Sequence, residues 1–509
     1  MASNEIKKAG FQKGTVSFAA AALLSRALGF LRDAAVVWLF GAGWVSDAFF
    51  AAFRVANFVR RTIGEGALNA AFLPALAREK ERGGRGFFGS AFAWLLWASV
   101  SLALLLALFA KPVVLLTAFG LSNRPEAFSL AVSLSRIMCW QIVPVLLASL
   151  CQGAVYYYGK VFAAAAAPVL FSAFAILYLA GVKLYGNLSP SAAVKGLAAA
   201  GLAGAAAGLF ILIRLARSFG EKPSLRPSPS PEAVAALCAA LPALLCSTAD
   251  QITMFTDMIF ASFLPSGSIT AVYNATRLMQ FPLVLVGVSS ATSALAALAR
   301  AGGGAGNARG ILSSSVGSAL FLLVPAAAGL MVFDLDICVA LFGHGQFSMD
   351  AARTTASALF YCAAGLPAYG ASKIMVMAFY SLSDWKTPFR LILVQVALDL
   401  TLAMLLLGGM GVAGLALAGA ASAWAGAAAL LLFLSRRGVD VSSEVLASLA
   451  RSVFCAGLMY ALCLWLRITF ASMSSMFLVA LAAPLGAAFY FLLAWLLRSP
   501  ELYALMERR

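Results

Sequence analysis

The chain has 509 residues, of which 62% are hydrophobic and only 11% are charged, and its mean hydropathy is +0.94. A soluble protein is excluded, because this composition leaves too few polar side chains to cover a surface that faces water. The formal net charge of +16 does not indicate a nucleic acid partner, since the basic residues form no patch with exposed aromatic residues on a soluble face.

The apolar runs predict about 14 transmembrane helices, because a bilayer core of roughly 30 Å needs about 20 helical residues per crossing. Runs this long and continuously apolar are not the alternating strands of a barrel. The predicted fold class is therefore an all-α polytopic membrane protein. In chain order the predicted crossings are 15–40, 47–76, 87–110, 128–158, 161–182, 192–216, 233–263, 269–298, 310–333, 354–381, 387–408, 411–435, 445–467 and 475–498.

The first crossing is predicted to remain in the protein and not to be a signal peptide, because Arg26, Arg32 and Asp33 interrupt the part of a signal that would be uncharged. With a cytoplasmic N-terminus, about 21 Lys and Arg lie on the cytoplasmic side and about 6 on the other side, as the positive-inside bias requires. The sequence thus predicts a multi-pass protein of the bacterial inner (cytoplasmic) membrane with both termini in the cytoplasm.

A polar segment rich in Pro and Ser, residues 217–232, is typical of a cytoplasmic linker. It separates a six-helix lobe at 1–216 from a second six-helix lobe at 233–435, and residues 436–509 supply two extra helices and the C-terminal tail. A weak repeat supports two pseudo-symmetric lobes with a binding cavity between them, although apolar helices can resemble each other by chance. Its matched pairs are Arg54 with Arg277, Asn57 with Gln280, Phe58 with Phe281 and Gly64 with Gly287.

The first two crossings carry more charge than a lipid-facing helix tolerates, since each charge at the centre of a crossing costs about 2.5 to 3.5 kcal/mol. On an ideal helix Arg26 shares a face with Asp33, and a second stripe consists of Asp47, Arg54, Arg61 and Glu65; both can face a common cleft. Arg32 and Arg60 lie off these stripes, so either they line an adjacent wall or the helices bend near Gly29 and Gly64. The residues concerned are Arg26, Arg32, Asp33, Asp47, Arg54, Arg60, Arg61 and Glu65.

Together with Arg277 and Lys373 of the second half, the basic residues outnumber these acids, and the predicted cavity is electropositive. An anion is the expected guest, because the planar guanidinium group binds phosphate or diphosphate through two parallel hydrogen bonds and stays charged when desolvated. The alternative is that the charges form internal salt bridges that hold the bundle together, an alternative that is strongest for Arg61 with Glu65.

The second half contains acidic and amide oxygens with no basic neighbour in sequence. Asp257 lies deep in the seventh crossing, and Gln395 and Asp399 share a face of the eleventh. Such oxygens suit a sodium ion or the exchange of a proton. Neutral, hydrogen-bonded acids are the alternative.

Other motifs do not indicate chemistry. The GxGxxG match at Gly409 to Gly414 follows no strand and is expected to be a tight helical hairpin. His344, the single histidine, has no partners for a general base, and the eight cysteines lack metal or disulfide spacing. The sequence predicts a protein that is not an enzyme and that needs no cofactor beyond possible coupling to sodium or protons.

Six blocks resemble the MurJ (MviN-type) family of lipid II flippases. They are SRALGFLRD (25–33), FGAGWVSDAFFAAFRVANFVRR (40–61), GEGALNAAFLPAL (64–76), FASFLPSGSI (260–269), YNATRLMQFP (273–282) and FYSLSDWKTP (379–388). The blocks span both halves, while the last two crossings resemble the family only in hydrophobicity and position.

The resemblance implies the fold of the multidrug/oligosaccharidyl-lipid/polysaccharide exporter superfamily. It also implies that the chain moves lipid II, the undecaprenyl-diphosphate-linked disaccharide pentapeptide of peptidoglycan synthesis, to the outer leaflet by alternating access. In this family Arg26, Arg32, Arg60 and Arg277 would serve the cavity and Asp33, Asp47 and Glu65 would be gate or pairing acids. The candidate substrate-binding residues are Arg26, Arg32, Arg54, Arg60, Arg61 and Arg277. The protein is expected to act as a monomer.

The chain departs from the family pattern at two places. Ala56 precedes Asn57 where the family has Pro, and Thr276 and Gln280 replace the acids that flank Arg277. Loss of these acids makes substrate contact by Arg277 more plausible and an acid-dependent gate there doubtful. Two other functions fit the same architecture: an exporter of another lipid-linked oligosaccharide or of drugs, and a scaffold for cell-wall assembly that transports nothing.

Overall fold

The computed structural model describes residues 23–81, 86–186, 188–226, 255–300, 305–382 and 384–507. These residues form helices and contain no β-strand. Among them, 11 helices are long and apolar enough to cross a membrane, and each coincides with a predicted crossing. The predicted all-α polytopic fold is confirmed.

The other three predicted crossings fall in segments that the structure describes only in part or that carry many charges. Of the first and seventh crossings, only 23–40 and 255–263 are described, and both are helical. The second is one unbroken helical segment from Trp44 to Glu81, whose charges set it apart from the apolar helices. The count of 14 therefore stays a prediction.

The chain divides into two compact units, Met1–Gly267 and Ser268–Arg509. Residues 227–254 lie outside the described part, so the predicted linker and the predicted lobe boundaries remain predictions. Unit 1 contains α1 (residues 23–40), α2 (Trp44–Val59), a π-helical segment (Arg60–Ala67), α3 (Leu68–Glu81), α4 (Phe87–Leu108), α5 (Ala110–Thr117), α6 (Pro125–Met138), α7 (Ile142–Tyr157), α8 (Val161–Ala166), α9 (Val169–Tyr185), α10 (Pro190–Ser218) and α11 (residues 255–263).

The core of unit 1 lies around α7, against which α3, α4 and α10 pack. Buried aromatic residues such as Phe72 and Phe88 fill it together with aliphatic residues of α7. Helices α9 and α10 approach closely, because α10 has glycine where they meet. A Cβ atom at Gly204 would lie 2.6 Å from the carbonyl oxygen of Leu170, a distance that no side chain could tolerate.

Unit 2 is built around one long helix, Met349–Ser381. Its elements are α12 (Ser268–Pro282), a second π-helical segment (Leu283–Val288), α13 (Ser289–Arg300), α14 (Ala305–Val332), α15 (Asp334–Phe342), α16 (Met349–Ser381), α17 (Lys386–Met410), α18 (Val412–Arg436), α19 (Ser442–Thr469), α20 (Ser475–Leu496) and α21 (Pro500–Glu507). Helix α16 lies at the centre, in contact with α12, α14 and α18.

The predicted glycine hairpin is confirmed. Helix α17 ends at Met410 and α18 begins at Val412, so that Gly411 alone connects them. Gly411 has φ of 56°, a conformation that a residue with a Cβ atom rarely adopts. At Gly414 a Cβ atom would lie 2.6 Å from the carbonyl oxygen of Leu406. The spacing of the glycines thus serves a turn and a close helix contact.

Asp384 organises the start of α17. Its carboxylate accepts hydrogen bonds from the backbone N–H of Thr387 at 3.0 Å and from the Thr387 hydroxyl at 2.7 Å. Arg437, just after α18, lies 2.7 Å from the same carboxylate. Burial alone would raise the pKa of Asp384, but the Thr387 hydrogen bonds and the Arg437 charge outweigh it and hold the pKa below its ordinary value.

Polar contacts fix the two C-terminal helices, α19 and α20, to α14, α15 and α21. Near one end, the hydroxyl of Tyr490 donates to the carbonyl oxygen of Phe321 at 2.7 Å, and Arg451 pairs with Glu501 at 2.6 Å. Near the other end, Arg467 pairs with Asp336 at 2.8 Å. Helices α19 and α20 therefore form part of unit 2, where exposed apolar side chains such as those of Trp465 and Trp495 suit contact with lipid.

Candidate functional site

The predicted site residues of unit 1 lie on α1, on α2 and on the π segment after α2. Four side chains are buried, those of Arg32, Asp33, Asp47 and Arg54. Arg60 and Arg61, which begin the π segment, are half-buried. Arg26 is exposed, although it shares an ideal-helix face with the buried Asp33. The side chain of Glu65 lies outside the described residues, so its expected pairing with Arg61 stays a prediction.

Arg32 and Asp33 form a buried ion pair between neighbours on α1. The Nε and Nη2 atoms of Arg32 donate to the same carboxylate oxygen, Oδ1 of Asp33, at 2.9 and 2.5 Å. The two side chains are only 6% and 1% exposed. A buried charge without a partner is expensive, and this pairing meets much of that cost for both residues.

Two aromatic rings hold the same guanidinium group. Its Cζ atom lies 4.7 Å from the ring centre of Phe53 on α2 and 5.1 Å from that of Phe171 on α9. The two rings are nearly parallel, with centres 6.3 Å apart. The attraction of a cation to aromatic rings increases when both are removed from water, so Arg32 is held by three helices.

One edge of the Arg32 guanidinium group remains available. Asp33 takes the Nε and Nη2 side, and none of the described residues accepts a hydrogen bond from Nη1. An arginine offers five N–H donors in a rigid plane. The geometry therefore combines a fixed, buried positive charge with unused donors, which is the arrangement that binds a phosphate oxygen.

Asp47 lies in the first turn of α2, where the positive end of the helix dipole favours a carboxylate. Its Oδ2 atom accepts a hydrogen bond of 2.6 Å from the backbone N–H of Gly267. Gly267 has φ of 95°, and a Cβ atom there would lie 2.6 Å from the carbonyl oxygen of Ala42. Asp47 thus fastens the end of unit 1 to the start of α2.

Arg60 and Arg61 follow directly on α2, at the point where the helix widens into the π segment. The Nε atom of Arg60 donates to the side-chain oxygen of Asn57 at 2.9 Å, so that Asn57 orients it. In a π segment the hydrogen bonds run from residue i to i+5 and the turn is wider. The ideal-helix stripe drawn from Asp47 to Glu65 therefore does not continue beyond Val59.

In unit 2, Arg277 is half-buried on α12 and Lys373 is half-buried on α16. Gln395 and Asp399 of α17 face glycines of α18, since a Cβ atom at Gly426 would lie 2.4 Å from Oε1 of Gln395 and one at Gly419 would lie 3.9 Å from Oδ1 of Asp399. Asp399 is buried, and Asp257 is half-buried on α11 of unit 1.

These oxygens suit a hard cation chemically. Within the described residues, however, no group of three or more His, Cys, Asp and Glu could hold a metal ion. A sodium site would therefore depend on amide, hydroxyl or backbone oxygens as well as carboxylates. The site stays a prediction.

Sequence reasoning did not predict the part that Phe171 plays. The residue lies in an ordinary apolar stretch of α9, far in sequence from the charged blocks, and aromatic residues are common in such helices. Only the contact with Arg32 distinguishes it. The glycines of α10 at 201 and 204 are the single sequence signal, since they indicate that something packs closely there.

The fold defines the class of the protein as an all-α polytopic membrane protein. A solved structure described as lipid II flippase MurJ in an inward closed conformation covers 95% of this chain and 98% of its own, with a TM-score of 0.79 and 22% identity. An inward-facing multidrug resistance MATE family transporter of the MOP superfamily covers 83% of this chain and 98% of its own, with a TM-score of 0.66 and 16% identity. At these identities the likeness shows the fold.

Sequence comparisons are more specific. The family model described as lipid II flippase MurJ matches residues 36–483. A probable lipid II flippase MurJ of Rhizobium meliloti (strain 1021) is 32% identical over 82% of this chain and 79% of that protein. The lipid II flippase MurJ of Burkholderia cenocepacia is 28% identical over 96% of this chain and 97% of that protein. The chain belongs to the MurJ family of lipid II flippases, and it is a bacterial membrane protein.

Proposed function

We propose that this protein translocates lipid II from the inner to the outer leaflet of the bacterial cytoplasmic membrane by alternating access. It acts as a transporter and not as an enzyme, with lipid II and the surrounding membrane lipids as its partners. The protein works as a monomer with both termini in the cytoplasm, the orientation that the distribution of Lys and Arg favours.

The observation that carries this proposal is the state of Arg32. Its charge is buried, its plane is held by two rings and by Asp33, and the described residues leave its Nη1 donors unused. A purely structural salt bridge in a hydrophobic environment would be expected to use the remaining donors, since unsatisfied polar groups are costly there. The diphosphate of lipid II supplies several anionic oxygens for such donors.

The other predicted arginines extend the proposed binding surface. Arg60, oriented by Asn57, together with Arg54 and Arg61 would attract the diphosphate within unit 1. Arg277 would be the counterpart in unit 2, without the flanking acids that would neutralise it. Arg26, which is exposed, would act in the first encounter with the headgroup.

The energy source is proposed to be a sodium ion or a proton. Asp399, Gln395 and Asp257 would take part, with Asp47 and Glu65 acting as gate or pairing acids. Replacing Asp399 by Asn should change how transport depends on sodium or on pH. Transport by Asp399→Asn with the ion dependence of the wild type would exclude this coupling site.

Depletion of the protein in its own bacterium tests the function directly. We expect lipid II to accumulate in the inner leaflet, where it is protected from a probe added outside, and we expect plasmid-borne wild type to reverse the accumulation. Arg32→Ala, Arg60→Ala and Arg277→Ala should fail to reverse it at wild-type protein levels. Arg353→Ala is the matched control, because that side chain is 68% exposed and its ion-pair partner among the described residues is the exposed Asp350.

Each outcome selects one function. Normal lipid II distribution after depletion would exclude flipping and favour a scaffold for cell-wall assembly. Accumulation of a different lipid-linked oligosaccharide would favour an exporter with another substrate. Full activity of all three arginine variants, with depletion still blocking translocation, would retain the function and exclude these residues as the diphosphate site.

A further inference from the structure

We propose that Phe171 is a positioning residue that sets the orientation of the Arg32 guanidinium group for anion binding. This inference rests on the proposed function, because it deepens the role of the same arginine. Phe171 lies on α9, outside every charged block of the sequence. Its ring centre is 5.1 Å from Cζ of Arg32, and Phe53 lies on the same guanidinium at 4.7 Å.

The ion pair with Asp33 does not fix Arg32 on its own. Both donating nitrogens reach one oxygen atom, Oδ1, and a fork that converges on a single acceptor can still tilt about it. Two parallel carboxylate oxygens would define the plane, but one does not. The rings of Phe53 and Phe171 supply the missing restraint, so that Nη1 points in a constant direction.

Phe171 is itself held by the small residues of α10. A Cβ atom at Gly201 would lie 2.8 Å from Cε2 of Phe171, and one at Gly204 would lie 2.9 Å from its Cα atom. The helix pair α9 and α10 therefore packs around this residue. Because the contact also includes α1 and α2, the position of the guanidinium depends on four helices of unit 1.

A preorganised side chain binds more tightly because less freedom is lost on binding. Ordering one flexible side chain costs about 0.5 to 1.5 kcal/mol. If Phe171 removes that cost in advance, its loss should weaken binding roughly two- to tenfold. The effect should pass entirely through Arg32, which makes it separable from a general effect of Phe171 on packing.

A double-mutant cycle on the full-length protein in detergent tests this, with purified lipid II as the probe. Four proteins are compared: wild type, Phe171→Leu, Arg32→Ala and the double variant. We expect Phe171→Leu to raise the Kd for lipid II about two- to tenfold in the wild-type background and to have no further effect once Arg32 is alanine. Phe174→Leu, one turn along α9 and 39% exposed, is the control and should bind as the wild type does.

Phe171→Met provides a second variant of similar volume but without a ring face, in case the leucine protein does not fold. It should weaken binding as the leucine variant does. If Arg32→Ala binds lipid II normally, the proposed diphosphate site itself fails. Two results would overturn only the positioning role while Arg32→Ala still weakens binding. In one, both Phe171 variants bind lipid II normally. In the other, the Phe171 substitution weakens binding equally whether residue 32 is arginine or alanine.

Discussion

The buried ion pair of α1 yields a quantitative prediction for Asp33→Ala. Arg32 and Asp33 are 6% and 1% exposed, with contacts of 2.9 and 2.5 Å, so removing the carboxylate leaves a buried positive charge without its acid. Breaking such a pair by removing one partner costs about 3 to 5 kcal/mol. We expect a clear fall in the midpoint of thermal unfolding of the purified protein in detergent.

The double variant separates the pair from its surroundings. Arg32→Ala/Asp33→Ala removes both charges, so its midpoint should lie well above the value obtained by adding the two single losses. Arg353→Ala serves as the exposed reference. Its partner Asp350 is 92% exposed at 3.4 Å, and its loss should leave the midpoint unchanged, since exposed pairs contribute little.

Two results would refute this reasoning. One is an Asp33→Ala protein that melts at the wild-type temperature, which would mean that the charge of Arg32 is stabilised without Asp33. The other is strict additivity of the two single substitutions, which would mean that the residues do not interact energetically. Chemical denaturation of the same four proteins would check that the order of midpoints is not a property of heating.

Three further predictions concern backbone and loop positions. Gly411→Ala should lower the free energy of unfolding by about 1 to 3 kcal/mol, since the φ of Gly411 is 56°. Gly408→Ala is the control and should be neutral or stabilising, because the space around its Cβ position is open. Equal midpoints of thermal unfolding for the two variants would contradict the strained hairpin. Gly120→Ala should destabilise unit 1 by about 1 to 3 kcal/mol, because its Cβ atom would meet the backbone of Ser262. The variant should therefore be cleaved faster by protease at the α5–α6 connection, and an unchanged rate of cleavage would argue against this. Asp384→Asn should lower the midpoint of thermal unfolding at pH 7. Because the pKa of Asp384 is depressed in the folded protein, the difference from wild type should persist down to about pH 4 and disappear as the pH falls through that depressed pKa. A difference that does not change with pH would contradict the ionic contribution of Asp384.

Much of the fold followed from the sequence because membrane helices obey a simple physical rule. Apolar length predicted the helices Pro190–Ser218 and Val412–Arg436 to within a few residues, since lipid requires every backbone hydrogen bond to be made within the helix. The hairpin at Gly411 was also predictable. The second crossing, Trp44 to Glu81, could not be confirmed by hydropathy, because it carries more charged residues than the helices that are long and apolar enough to cross a membrane.

The arrangement of the site was less predictable. The placement of charges in the sequence indicated that Arg32 and Asp33 belong to the site. The structure pairs their side chains with each other, although consecutive residues of an ideal helix do not lie on one stripe. The same stripe placed Arg26 with Asp33, but Arg26 is exposed. Periodicity assumes a uniform helix and reports nothing about partners on other helices, so it could not indicate that Phe171 of α9 lies on Arg32.

The two π-helical segments give the internal repeat a structural basis. In unit 1 the α-helix changes to a π-helix at Arg60, and in unit 2 it does so at Leu283. Arg54 and Arg277, matched by sequence, each stand six residues before that change.

The matched glycines, Gly64 and Gly287, each lie at the fifth position of the π segment. Chance similarity between apolar helices would not reproduce this register, since π segments are rare and occur mostly as single turns at functional sites. Each half of the chain therefore carries an arginine at the same distance from a local widening of its helix.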